Sequence, residues 1–178
     1  MTNGRNVETA AKRPPTVVVG VDGSESSIAA LRWAARQAEL TGAELRAVIS
    51  WELPSAAYWV PLPNDLDLES SARSTLAAQI AQTLGPEPKV PVTQVVAQGH
   101  PAPTLVGHAA DADLLVLGSR GHGELASVLL GSVSEHCVTH AHCPVVVIKQ
   151  DHRQPTPGGS GLQPRAAHPW RRGGRPGL

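Results

Sequence analysis

The sequence predicts an α/β fold: one open sheet of five parallel strands with helices on both faces. Three observations carry this expectation. Short apolar runs rich in β-branched residues recur along the chain, at Thr16 to Val21, Glu44 to Trp51, Leu114 to Leu117 and Val145 to Ile148. Between the strands lie stretches whose apolar residues repeat at three- and four-residue steps, the spacing of one helical face. Glycine, proline or aspartate punctuates the hand-overs, as at Asp22-Gly23-Ser24, Gly42 and Gly85-Pro86.

Taken in order, residues 1–15 are polar, end in Pro14-Pro15 and read as a disordered arm. Thr16 to Val21 is a continuous apolar run, which suits a strand buried on both faces of a parallel sheet. Ser24 is placed to cap the first helix, Ile28, Leu31, Ala35 and Ala38 supply its apolar face, and Gly42 closes it. Glu44 to Trp51 completes a βαβ unit. From Glu52 to Asp67, prolines 54, 61 and 63 with Tyr58 and Trp59 make a long irregular connection, a kind of segment that is usually functional or mobile. Leu68, Ala72, Leu76, Ile80 and Leu84 then define the second helix.

Val92 to Gln98 contains polar Thr93 and Gln94 and is expected at a sheet edge. Pro101 suits the first position of a third helix, with Leu105, Val106 and Ala109 facing inward. Leu114 to Leu117 is wholly apolar and expected to be central. Val133, Cys137 and Val138 mark a fourth helix, and Val145 to Ile148 the fifth strand. If that last strand is terminal, its apolarity invites pairing with another chain. From Asp151 onward the chain is rich in Pro, Gly and Arg and reads as a disordered tail, leaving 16–150 as the folded domain.

With 178 residues and 41% hydrophobic content, one domain with a substantial core is expected. No apolar run approaches the roughly 18 residues of a membrane span, and the first residues lack the apolar region of a secretory signal, so a cytoplasmic protein is expected. The two cysteines, Cys137 and Cys143, fit a reducing compartment. Between Thr16 and Gln150, seven Lys/Arg stand against thirteen Asp/Glu, while the segment from Asp151 to Leu178 holds five Arg and one Asp. An acidic body argues against nucleic acid as the partner, because phosphate backbones need a basic face.

The candidate site is Gly118 to Ser132, GSRGHGELASVLLGS, where a strand hands over to a helix. Glycines at 118, 121, 123 and 131 remove Cβ atoms that would hold a ligand away and allow the left-handed dihedrals of a tight loop. Backbone N–H groups and the Ser132 hydroxyl at a helix start favour an anion. Two readings stay open on the loop alone: a phosphate cradle, or a glycine-rich turn with no ligand.

VVVGVDGSESSIAALRWA near the start, GSRGHGELASVLLGSVSEHCVTHAHCPVVVI near the end, and the spacing G-x2-G-x9-G-S at Gly118, Gly121, Gly131 and Ser132 resemble the universal stress protein family over about residues 15–150. The resemblance implies a Rossmann-like sheet of order 3-2-1-4-5 and a homodimer joined through Val145 to Ile148. It also implies an ATP site of the kind found in family members that keep the glycine spacing. Carried over, Gly118, Gly121, Gly131, Ser132 and Val133 hold phosphates and ribose through backbone amides and the serine hydroxyl. Asp22 sits at the nucleotide, and the backbone near Ser50 meets adenine. In that strand order, the loops after strands one and four open a crevice that sets Asp22 opposite Gly118. Asp22 serves equally as a plain cap of the first helix.

Competing constellations are weaker. Cys137, His140, His142 and Cys143 offer metal-ligand types, but a helix end and a strand start point them apart, so no metal site is expected. His100, His122 and Arg120 flank the glycines and read either as phosphate neighbours or as solvated loop residues. No lysine follows the glycines, so the P-loop pattern is missing, and G-x-x-G-x-G reverses the dinucleotide fingerprint. No Ser-His-Asp arrangement is visible, and no catalytic residue is assigned. The expectation is an ATP-binding, nucleotide-responsive stress protein, with Mg2+ accompanying the triphosphate and at most weak hydrolysis. The alternatives are a dimeric interaction module of the same fold that binds no nucleotide, and a slow ATPase or nucleotidyl transferase using Asp22, Glu124 or His122 as base.

Overall fold

The computed structural model describes residues 13–53, 67–119 and 130–149. Most of the expected arm, most of the proline-rich connection, the interior of the glycine loop and the tail lie outside these residues. Nine elements alternate along the described chain: β1 (Thr16–Gly20), α1 (Glu25–Thr41), β2 (Glu44–Trp51), α2 (Leu68–Leu84), β3 (Val92–Gln98), α3 (Pro101–His108), β4 (Leu114–Gly118), α4 (Ser132–His140) and β5 (Val145–Ile148). All strand pairs are parallel, in the order β3-β2-β1-β4-β5.

The register explains how one sheet serves two cores. Val17, Val19, Leu45, Ala47, Ile49 and Val116 face α1 and α2, where Leu31 and Leu76 are fully buried. Val18, Val48, Leu115 and Leu117 face α3 and α4, where they meet Leu105 and Cys137. Successive strand residues thus point to opposite layers, and because both layers are covered, both sets are apolar. Each fully buried leucine contributes roughly 2 to 3 kcal/mol through removal from water. The first two crossovers progress across the sheet one way and the last two progress the other way. With right-handed connections, that reversal puts α1 and α2 on one face and α3 and α4 on the other.

Local signals account for the helix ends. Ser24 Oγ accepts a hydrogen bond from the Ser27 amide at 3.2 Å, and Gly42 adopts φ 66° to donate its amide back to Ala38. Asp67 caps α2 in the same manner, its Oδ1 accepting from Ser70 N–H at 2.9 Å. β3 lies at the edge, as its polar residues predict, and β5 occupies the opposite edge.

Two expected faces are turned relative to the sequence reading. In α1 the buried positions are Ser26, Ser27, Ala30, Leu31, Ala34 and Ala38, whereas Ile28 and Ala35 are half-buried. Small residues win the sheet-facing positions because they let the helix approach closely. In α4 Cys137 is buried, but Val138 is 50% exposed and does not belong to the core.

At the amino ends of the strands, an ionic cluster fastens the layers. Arg46 sits within β2 and donates to the His108 carbonyl at 2.9 Å and to Asp111 Oδ1 at 2.8 Å. Asp113 Oδ2 accepts from the Thr16 amide at 2.8 Å, and Arg13 donates to the Asp111 carbonyl and to Thr16 Oγ1. The hydrogen bond from Arg46, reinforced by its charge, holds the Asp111 carboxyl below its ordinary range, and the same bond moves the guanidinium upward.

Candidate functional site

The opposite end of the sheet gathers the residues singled out in the sequence. After β1, the Val21 amide donates to the Val48 carbonyl at 2.9 Å, so the chain leaves the ladder only at Asp22. Asp22 is exposed, and its Oδ1 accepts from the Ser24 amide at 2.9 Å and from the Ser24 hydroxyl at 2.6 Å. Ser24 caps α1 in turn, while Ser24 Oγ and Ser26 Oγ lie 3.2 Å apart. Asp22 therefore organises the entry to α1 through Ser24, with the carboxylate on the surface at the carboxyl end of the sheet.

Gly118, at the end of β4, is pressed against that entry. A Cβ built on it would lie 2.6 Å from Ser26 Oγ and 2.7 Å from the Ser26 carbonyl carbon. The space left by the missing side chain is thus filled by α1. Neither Gly118 nor Gly131 uses a left-handed backbone; Gly131 has φ −76°. For these two glycines the requirement is close approach, in place of the left-handed dihedrals expected from the sequence.

The glycine loop is closed at its base. The Gly131 amide donates to the Ser119 carbonyl at 2.8 Å, and the Ser119 amide donates to the Ile148 carbonyl at 2.8 Å. Ser134 donates its hydroxyl to the Gly118 carbonyl at 2.7 Å. α4 therefore starts at Ser132, immediately beside the end of β4, with Gly131 as a cap that brings no side chain. Ser132 is exposed, Val133 is half-buried against the α3 and α4 layer, and Ser134 is buried.

Ser50 is half-buried on β2, paired in register with Ala97. Just beyond it, His100 Nδ1 and Glu52 Oε2 meet at 2.6 Å, and the Gly99 amide donates to the Trp51 carbonyl at 2.9 Å. His100 thus pairs with a carboxylate. His140 stacks on His136 with ring centroids 4.1 Å apart. Cys137 offers its thiol to the Ala102 carbonyl at 3.8 Å, and burial pushes that thiol up to about 11. Among the described residues no group of three or more His, Cys, Asp or Glu side chains converges as a metal site.

Asp22, Gly118, Gly131, Ser132 and Val133 accordingly share one end of the sheet, with the end of β2 at Ser50 on the same side. Gly121, His122, Arg120 and Glu124 lie outside the described residues. The sequence reading missed Ser26, Ser119 and Ser134, the three buried serines that join β4 to its neighbours. Only Ser134 left a signal, as a hydroxyl two residues beyond Ser132 in a helix's first turn.

Strand order and connections define a Rossmann-like α/β protein whose switch point lies between β1 and β4, with a glycine-bounded loop at that crevice. Residues 15–149 match the model of the universal stress protein family, and the chain belongs to that family. It is 41% identical over 137 residues to Universal stress protein Rv2005c of Mycobacterium tuberculosis, an alignment that spans 75% of this chain and 45% of that protein. The chain spans about half the length of such curated relatives. Among solved structures, Universal stress protein UspA from Lactobacillus plantarum superposes with a TM-score of 0.57 at 27% identity, over 76% of this chain and 98% of that one. The universal stress protein from Archaeoglobus fulgidus in complex with dAMP shares the fold, with a TM-score of 0.52 at 24% identity, over 76% and 98% of the two chains. No helix among the described residues is long and apolar enough to cross a membrane.

Proposed function

We propose that the chain binds an adenine nucleotide, ATP with Mg2+, in the crevice between β1 and β4, and acts as a nucleotide-responsive regulator in stress response. The observation that carries this reading is the start of α4. Its first turn opens at Ser132, directly after side-chain-less Gly131, at the carboxyl end of β4 and on the same sheet end as Asp22. Amides of a helix's first turn point outward and attract anions. The Gly131 amide is committed to Ser119, so the Ser132 and Val133 amides and the Ser132 hydroxyl are the phosphate donors in this reading. Gly118 and Gly121 are assigned to the same phosphate site from the glycine spacing alone, Gly121 lying outside the described residues, and the β2 end at Ser50 is assigned to adenine through its backbone. Asp22, exposed at the same end of the sheet, is the carboxylate assigned to the nucleotide and its Mg2+ in this reading.

The residues present suit binding better than turnover. No lysine follows the glycines, and no paired acids or activated nucleophile stands near α4 among the described residues. Hydrolysis, if present, is slow. Occupancy has a route to the sheet edge, because the loop's first residue, Ser119, hydrogen-bonds β5 at Ile148. β5 is the strand through which a homodimer forms in this reading.

Calorimetry with ATP, AMP and cyclic AMP tests the binding, repeated with Asp22→Ala and Gly121→Asp. Micromolar ATP binding weakened by both changes is expected, and no heat at high micromolar ATP overturns the proposal. Light scattering tests the dimer: a mass of twice 18.6 kDa is expected, and a monomer removes the β5 interface.

A further inference from the structure

Ser134 is 3% exposed, lies in the first turn of α4, and does not reach the crevice. A serine in that position ordinarily bonds back to its own helix or to solvent. Here its hydroxyl crosses to the Gly118 carbonyl at 2.7 Å. Gly118 is itself fixed from the other side by Ser26. The carbonyl is therefore a rigid reference point, and the Ser134 bond transfers that rigidity to the helix start. Val133 packing sets the depth of α4, but apolar packing leaves rotation and sliding weakly defined. The directional bond fixes both.

We infer that Ser134 is a positioning residue for the phosphates: without touching ligand, it aims the Ser132 and Val133 amides by locking α4 to the end of β4. This rests on the nucleotide reading above. Donors that bind an anion must be held near their productive geometry by a supporting layer, and small displacements cost affinity steeply. The bond is local to α4, so its loss acts on phosphates and spares the adenine end of the site.

The experiment is a calorimetric titration of the full chain with ATP and with adenosine, for wild type, Ser134→Ala, Ser134→Thr and Cys137→Ala. Cys137→Ala loosens the same helix from its buried side and controls for general destabilisation. Ser134→Ala should lose about tenfold in ATP affinity, the scale of one well-formed hydrogen bond, with adenosine affinity unchanged. Ser134→Thr should retain ATP binding, and so should Cys137→Ala. If Ser134→Ala proves unfolded, Ser134→Cys carries the same comparison, since it fills the space with a poorer donor. Wild-type ATP affinity in the hydroxyl-free variant overturns the inference while leaving the nucleotide reading intact. Equal losses for ATP and adenosine, or an equal loss in Cys137→Ala, overturn it as well. A wild-type protein that binds no ATP removes both.

Discussion

Gly118 and Ser26 are packed so closely that no β-carbon fits between them: the added atom would sit 2.6 Å from the serine hydroxyl and 2.7 Å from its carbonyl carbon. One contact is with backbone, so a rotamer change of Ser26 cannot relieve it. Gly118→Ala should destabilise the protein by about 1 to 3 kcal/mol, the range for overpacked interiors. Urea unfolding measures this directly, and an unchanged midpoint would sink the packing argument.

The cap of α1 is a second testable element. Ser24 accepts from the Ser27 amide while bonding Asp22. Ser24→Ala should cost about 1 kcal/mol and should also remove the hydroxyl hydrogen bond to Asp22 Oδ1 while the backbone amide at 24 keeps its own, loosening the carboxylate's orientation. Thermal melts report the first effect, and a companion ATP titration weaker than wild type reports the second. Full stability in the variant would contradict the capping role.

Acid should act on the other end of the sheet. The Asp111 carboxyl lies below its ordinary value because Arg46 donates a hydrogen bond to it, with the Arg46 charge adding to the effect. A depressed folded value stabilises the protein above the unfolded value of about 4. That contribution disappears as pH falls through the lower folded value. The gap in melting temperature between wild type and Asp111→Asn should therefore be present at neutral pH and close below pH ~4. The gap should be small, because Asp111 is largely exposed. A gap unchanged down to pH ~2 would rule out the linkage.

The thiol of Cys137 should be inert in the folded protein. Burial pushes it up to about 11, and burial also raises Cys143, which remains half-buried. Since the thiolate is the reactive form, a maleimide or disulfide reagent near neutral pH should label Cys143 slowly and Cys137 only on unfolding. The raised Cys137 value supports the fold below the unfolded value of about 8.5, and that support is lost as pH climbs toward about 11. Rapid labelling of Cys137 in native protein would contradict its burial.

Element order, strand extents and caps were legible because they depend on neighbours in sequence. β-branched runs, Ser24, Gly42 and the Gly85-Pro86 stop each act within a few residues. What escaped depends on partners far along the chain. Nothing in the segment around Arg46 announces Asp111, which lies 65 positions away, and nothing beside Gly118 announces Ser26. The buried face of α1 differs from the expected one for the same reason: Ser26 looks like a surface residue until Gly118 of β4 packs against it. Around the candidate site, the sequence displayed Ser132 and Val133 at a helix start but not the buried serines, Ser119 and Ser134, that tie this region to the end of β4.

The placement of β1 also bears on how the molecule is assembled. Its ladder to β2 joins residues 28 positions apart, as at Thr16 and Glu44. Its ladder to β4 waits on chain about 97 positions away, the separation of Thr16 and Asp113. Closing the longer span is entropically costlier, and distant pairings form slowly. The strand that ends at the switch-point crevice therefore keeps one flank open until the second half of the protein docks. During that interval the crevice does not exist, so any ligand of it can reward only the completed sheet and never the half-built one.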